Sequence, residues 1–213
     1  MGGFQLCTLD LDGTLLTTTC FLEASKALGK EAEIRRLDEA YFAGAQTLRE
    51  NFFAEFAVLE GASVEAARAA VLRGPWLAHI PDGVRRLREL GLQVGVLTDQ
   101  PRFLAELAEP TLDPVLCSEG GTRDGKIVAA IEYREDKLAS LRSWAKANKV
   151  ELERVIHCGN GVNDVPVWER VGLGIAVNPS GPDVARRADL AVEGCTDLRQ
   201  LAEVVERALR EGM

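Results

Sequence analysis

Apolar positions fall into two rhythms along this chain. Short apolar runs bounded by Gly, Pro and Asp recur at Phe4-Gln5-Leu6-Cys7-Thr8-Leu9, Leu92-Gln93-Val94-Gly95-Val96-Leu97-Thr98, Pro114-Val115-Leu116-Cys117, Arg154-Val155-Ile156-His157-Cys158 and Leu173-Gly174-Ile175-Ala176-Val177. Runs this short and this rich in β-formers predict strands covered on both faces, as in a parallel sheet. Between them the apolar spacing lengthens to three and four residues. Val84, Leu87 and Leu90 predict a helix over 82–91, with Asp82 as N-cap and Gly91 as C-cap. Leu138, Leu141 and Ala145 mark another helix, and Leu198, Leu201, Val205 and Leu209 a last one after Thr196. Strands alternating with helices predict βαβ units, a parallel sheet and right-handed crossovers, hence an α/β, Rossmann-like core.

Residues 21–77 break the alternation. They hold helix-like stretches, among them 45–59 and 63–72, and no convincing strand. Inserted between the first strand and the second, they read as an α-helical cap, so that 1–18 and 78–213 form the core and 19–77 the cap. The segment 122–133, with Asp124-Gly125 at its centre and β-formers on its return arm, predicts a small hairpin.

Composition narrows the classes of function. At 213 residues, 46% hydrophobic and 27% charged, the chain is long enough for a substantial core and carries no low-complexity or repeat signature. A net charge of -8 argues against a nucleic-acid partner, and a small anionic substrate would have to meet a metal or a placed lysine. Cys7, Cys20, Cys117, Cys158 and Cys195 are odd in number, widely spaced and without a C-x-x-C pair. They read as buried thiols of a reducing, cytoplasmic setting. No apolar run approaches the ~18 residues a membrane span needs.

The chemistry concentrates at Asp10-Leu11-Asp12-Gly13-Thr14, where the first apolar run meets a turn. Side chains two apart in an extended chain share a face, so Asp10 and Asp12 can address one reacting group if strand geometry continues past Leu9. Two carboxylates that close imply a cation or an ammonium between them. The plainer reading is a polar turn capping a strand. Asp12, Thr98 and Asn160 all fall just beyond predicted strand ends, where ligands sit in an open parallel sheet.

Four pieces stand in order: Asp10-Leu11-Asp12-Gly13-Thr14; Thr98 closing Val94-Gly95-Val96-Leu97; Lys137; and Gly159-Asn160-Gly161-Val162-Asn163-Asp164. In this order and over essentially the whole chain, the sequence resembles the haloacid dehalogenase superfamily of phosphohydrolases. The helical insert resembles the cap of its phosphoserine phosphatase-like branch. The resemblance implies a Mg²⁺-dependent phosphatase acting on a small phosphorylated metabolite, with Asp10 as nucleophile forming an aspartyl-phosphate and Asp12 as general acid and then base. Lys137 and the Thr98 hydroxyl would mask the phosphate charge with Mg²⁺, Gly13 and Asp99 would join Thr98 around the substrate, and Asp10, Asp12, Asn160 and Asp164 would form the metal set.

Taken singly, Thr98 could simply end a strand and Lys137 could belong to a solvated helix start. His157 reads as a packed or supporting group, and Trp76, Trp144 and Trp168 as packing residues. The chain also departs from the family pattern. Asn160 stands where the fourth motif usually carries a metal-binding acid, Asp99-Gln100 replaces the usual Gly-Gly after the second motif's hydroxyl, and neither Thr17-Thr18-Thr19-Cys20 nor the stretch from Arg49 to Glu55 matches the residues that read phosphoserine's ammonium and carboxylate. Phosphoserine is therefore no better an expectation than another small phosphomonoester, for which Phe52, Phe53 and Phe56 offer either an apolar wall or helix packing. A catalytically impaired relative that binds a phosphorylated ligand or a partner, and a phosphotransferase, are the competing classes.

Overall fold

The computed structural model describes residues 3–213. Strand β1 (Leu6–Leu9) leads into four helices, α1 (Cys20–Lys26), α2 (Glu31–Phe42), α3 (Leu48–Leu59) and α4 (Val64–Leu72). The chain then returns through α5 (Ile80–Glu89) to β2 (Gln93–Pro101) and the short α6 (Arg102–Ala105). The hairpin β3 (Val115–Arg123) and β4 (Lys126–Glu132) comes next, followed by α7 (Lys137–Asn148) and β5 (Val155–Gly159). Short α8 (Val165–Trp168), β6 (Leu173–Val177), short α9 (Pro182–Ala185), β7 (Leu190–Val192) and α10 (Leu198–Glu211) complete it.

The seven strands form one sheet in the order β4-β3-β2-β1-β5-β6-β7. All neighbours pair in parallel except β3 with β4. β1, β5 and β6 are buried at every position, which is why their sequences run apolar without alternation. Successive residues of β1 feed opposite faces. Cys7 and Leu9 pack in the cluster that holds Leu87 of α5 and Leu198, Leu201 and Val205 of α10, whereas Leu6 packs with Leu141 of α7, Leu97 and Val155. Strand order reverses at β1, with β2 on one side and β5 on the other, so a crevice opens beyond its carboxyl end.

The α/β, Rossmann-like architecture and the helical insert agree with the expectation from sequence; several boundaries differ. Helix α5 starts at Ile80 with His79 as N-cap, and Asp82 sits inside its first turn, accepting from Arg85 at 2.5 Å. Leu90 is the C-cap, with Gly91 just beyond it at φ 87°. β2 does not stop at Thr98 but runs on to Pro101 past a bulge, and β7 went unpredicted. The hairpin is longer than 122–133, although its turn is at Asp124-Gly125 as expected, both residues having positive φ.

Helix starts in the insert follow from local chemistry. The Thr19, Thr47 and Ser63 hydroxyls cap α1, α3 and α4, and Thr47 and Glu50 form a reciprocal capping box. The insert is also bonded to the hairpin: Gly61 N donates to Ile127 O at 2.9 Å, Ile127 N to Ala62 O at 3.0 Å and Val64 N to Gly125 O at 3.0 Å.

Candidate active site

At the carboxyl end of β1, Asp10 N donates to Cys158 O at 2.8 Å and prolongs the ladder with β5 by one residue. That bond fixes the Asp10 side chain at the mouth of the crevice, 3% exposed. Its Oδ1 accepts from Leu11 N at 2.7 Å and from Lys137 Nζ at 2.9 Å, while no protein donor reaches its Oδ2. Asp12 is positioned otherwise than by strand period, because the chain has already turned at Leu11. Its Oδ1 accepts from Cys20 N at the start of α1 at 2.9 Å, and its Oδ2 from Gln100 Nε2 at 2.7 Å.

Lys137 opens α7 and is buried, its ammonium spanning Asp10 and Asp164. Asp164 is saturated. Oδ1 takes Lys137 Nζ at 2.7 Å and His157 Nε2 at 3.0 Å, and Oδ2 takes the backbone N–H groups of Asn160 and Gly161 at 2.9 Å each. With a carboxylate opposite Nε2, that nitrogen carries the imidazole proton, and Nδ1 accepts from the Thr8 hydroxyl at 2.9 Å. His157 is thus a buried support for Asp164, as its apolar surroundings suggested.

Asn160 follows β5 directly, and its amide lies against Gly13: a Cβ on Gly13 would stand 1.9 Å from Asn160 Nδ2. Glycine at φ 74° therefore lets the first and fourth motifs touch. Asp99 comes from the bulged end of β2, its carboxylate 3.5 Å from Asn163 Nδ2.

These loops wall one end of a cavity of about 720 Å³. Asp10, Asp12, Gly13, Asp99 and Asn160 line it from the core; Asp38, Tyr41, Asn51, Phe52 and Glu55 line it from the helical insert. Thr98 is buried, and its hydroxyl accepts from Gln100 N at 3.2 Å. Each oxygen of Asp164 accepts two hydrogen bonds, whereas each carboxylate oxygen of Asp12 accepts one. Sequence reasoning missed Gln100, which orients Asp12, and the pair Asp38 and Glu55. Glu55 had a signal: it shares a helix face with Phe52, Phe56 and Leu59, an acid within an apolar stripe.

Electrostatics follow from four aspartates around one buried ammonium. Burial lifts Asp10 well above the ordinary carboxylate range, Lys137 opposing and Asp164 and Asp99 adding to it. Burial pushes Asp12 up to about 7 against the pull of its Cys20 contacts, and raises Asp99. Burial would lower Lys137, but Asp10, Asp164 and Asp99 outweigh it and keep the ammonium charged. For Asp164, burial is overcome by Lys137 and His157, which hold it below the usual range.

Among the described residues no three His, Cys, Asp or Glu side chains converge as a metal cluster. The donors present are nonetheless hard oxygens, those of the Asp10 carboxylate and the Asn160 amide, in a site with an excess of negative charge. This suits a divalent ion such as Mg²⁺, which binds through one or two carboxylates, keeps waters and takes substrate phosphate oxygens.

The haloacid dehalogenase-like hydrolase family matches residues 7–169. A phosphoserine phosphatase of Mycobacterium tuberculosis is 27% identical over 180 residues, covering 82% of this chain and 44% of that protein. A phosphoserine phosphatase of Streptomyces coelicolor is 29% identical over 201 residues, covering 88% and 47%. The chain thus spans about half the length of these two relatives. The phospho-aspartyl intermediate analogue of a phosphoserine phosphatase superposes with a TM-score of 0.82 at 21% identity, over 95% of this chain and 99% of that one, so the two share a fold. The family match runs from β1 through the loop that carries Asp164, the segments that meet at the cavity, and the chain belongs to the haloacid dehalogenase-like hydrolase family.

Proposed function

We propose that this chain is a Mg²⁺-dependent phosphatase that hydrolyses a small phosphomonoester through an aspartyl-phosphate on Asp10. The observation that carries this reading is the asymmetry of Asp10: Oδ1 is pinned by Lys137 and Leu11 N, and Oδ2 is open to the cavity. Oδ2 forms the bond to phosphorus as the bond to the leaving oxygen breaks. Asp12, at about 7, is partly protonated near neutrality and gives its proton to that oxygen. The resulting carboxylate takes a proton from water, whose oxygen attacks phosphorus, releasing inorganic phosphate and restoring Asp10. Gln100 and Cys20 N hold Asp12 in place for both transfers.

Lys137 supplies fixed positive charge behind the nucleophile, and Asp164 with His157 keeps that lysine in position. Asp10 and Asn160, with Asp12, would hold Mg²⁺, which supplies charge neutralisation of the phosphoryl group when bound. Residues 19–77 would act as the cap that excludes water from the cavity, over a core of 1–18 and 78–213. The substrate is a small phosphorylated metabolite and the setting cytoplasmic; no helix among the described residues is long and apolar enough to cross a membrane.

Release of phosphate from p-nitrophenyl phosphate and a panel of alkyl phosphates, with saturating Mg²⁺, tests the assignment. Asp10→Asn should lower kcat by about 10³ or more while the circular dichroism spectrum stays that of the wild type. Turnover at the wild-type rate would remove Asp10 from the reaction. Asn160 favours a second reading, a binding protein that has lost catalytic power, because its neutral amide weakens the hold on a cation. That reading predicts an inactive wild type and gain of activity in Asn160→Asp.

A further inference from the structure

The wall that the helical insert gives the cavity has a composition that selects a ligand. α2 and α3 contribute Asp38, Asn51 and Glu55 there, together with Tyr41, Phe42 and Phe52. Among the described residues no lysine, arginine or histidine lines the cavity. The one cation on α3, Arg49, is committed elsewhere: its guanidinium lies over the rings of Phe53 and Tyr133, at 5.2 and 5.6 Å, and 3.8 Å from Glu135.

We propose, building on the phosphatase reading, that the leaving group of the substrate carries an ammonium and no carboxylate, and that Glu55 and Asp38 receive it.

Two buried acceptors in the cavity wall have no donor. Glu55 is 6% exposed and Gln100 5% exposed, and neither Glu55 Oε1 nor Gln100 Oε1 has a hydrogen-bond partner. The Gln100 amide cannot be reversed to cure this without losing its Nε2 bond to Asp12. A buried acceptor left unmade costs about 1–3 kcal/mol, so both oxygens call for a ligand that brings N–H or O–H groups. Gln46 Nε2 is already donated to Leu37 O and Asn51 Oδ1 and is not that donor.

Charge decides between an ammonium and a neutral hydroxyl. Burial and the adjacent Asp38 carboxyl push Glu55 up to about 10, and burial raises Asp38 as well, because two acids this close cannot both be charged without a cation between them, a place that a ligand ammonium would fill. Tyr41, Phe42 and Phe52 line the same cavity, and aromatic rings beside a bound ligand favour a cation over a neutral polyol. A carboxylate on the leaving group would face two acids, and Arg35, whose guanidinium acts on Asp38, is already paired with Glu31 at 2.6 Å.

The test compares kcat/KM for phosphoethanolamine, its uncharged isostere propyl phosphate, phosphoserine and glycerol phosphate in saturating Mg²⁺. Phosphoethanolamine should exceed each of the others by about tenfold or more, and Glu55→Gln should bring its ratio to propyl phosphate down towards about one. Asp38→Asn provides the same readout if Glu55→Gln does not fold. Equal values for phosphoethanolamine and propyl phosphate, or a preference for phosphoserine or glycerol phosphate, would overturn the ammonium assignment while leaving the phosphatase intact. If none of these esters nor p-nitrophenyl phosphate is hydrolysed, the phosphatase reading has failed, and titration calorimetry decides the ammonium question by itself. Tighter binding of phosphoethanolamine than of propyl phosphate sustains it, and equal binding ends it.

Discussion

Lys137 shows how much of this site rests on single side chains. Its ammonium spans Asp10 and Asp164, and all three groups are almost wholly buried. Lys137→Met keeps the volume and removes the charge, leaving Asp10 and Asp164 to repel each other away from water. The expected loss is about 3–5 kcal/mol of unfolding free energy, the cost of breaking a buried pair from one side. Urea denaturation measures it, and an unchanged midpoint would show that the pair does not hold the loops. Glu55 acts with the opposite sign. Its folded pKa of about 10 stands above the ordinary 4.5, so above that ordinary value the folded state binds more protons than the unfolded one. Its contribution is fully present below the ordinary value and is lost as pH rises towards about 10. Thermal melts should therefore fall for the wild type between about pH 5 and about pH 9, and Glu55→Gln should flatten that slope and melt higher at the alkaline end. Equal slopes for the two proteins would mean that Glu55 does not hold its proton.

Where elements meet, close approach rather than area sets the tolerances. α5 and α10 lie so near each other that a Cβ on Gly83 would come within 2.6 Å of Leu198 Cγ and 2.9 Å of the Leu198 backbone. Arg86 on α5 then bridges to Glu203 and Glu206 on α10 at 2.9 and 2.8 Å. Gly83→Ala gains up to about 1 kcal/mol of helix propensity and loses about 1–3 kcal/mol to overpacking. Because backbone as well as side chain blocks the new methyl, the clash wins, and chemical denaturation should show a net loss. A gain would mean that the helices separate freely. The same elements show what was legible in the chain. β1, β5 and β6 could be read directly, since strands buried on both faces leave only apolar residues. β2 reads from the sequence as ending at Thr98 because Asp99 and Gln100 are polar: these two line the cavity, and only Pro101 resumes the pairing with β3. Asp10, Asp12, Gly13 and Asn160 were legible from motif order, whereas Asp38, Glu55 and Gln100 were not, because their roles come from how the insert folds over the core. At the end of β2 the irregularity between Leu97 and Pro101 brings Asp99 and Gln100 to the cavity wall, with Thr98 buried behind them.

At the scale of the whole molecule, the helical insert and the β3–β4 hairpin behave as one covering. The sequence suggested a cap confined to 19–77. In the structure the connection after α3 bonds to the hairpin through Gly61, Ala62 and Val64, Phe52 stacks on Tyr133 with centroids 4.0 Å apart, and Phe56 lies against Gly121. Opening the cavity by swinging the helices alone would break three backbone hydrogen bonds at about 0.5–1.5 kcal/mol each, and part aromatic contacts of similar size. Carrying the hairpin along breaks none of these. The connectors on the core side, where Leu77 N meets Leu15 O and Thr17 N meets Pro75 O, are two short paired segments that can flex together. Hydrogen exchange followed by mass spectrometry should therefore find the amides of Gly61, Val64 and Ile127 protected alike, because a joint motion leaves their bonds made. Mg²⁺ and vanadate, a mimic of the transferring phosphoryl group, should leave these three unchanged while slowing the connector amides of Thr17 and Leu77. Rapid exchange at all three that slows when the ligand is added would mean that the helices part from the hairpin when the cavity opens, and that water reaches Asp10 through the gap between them.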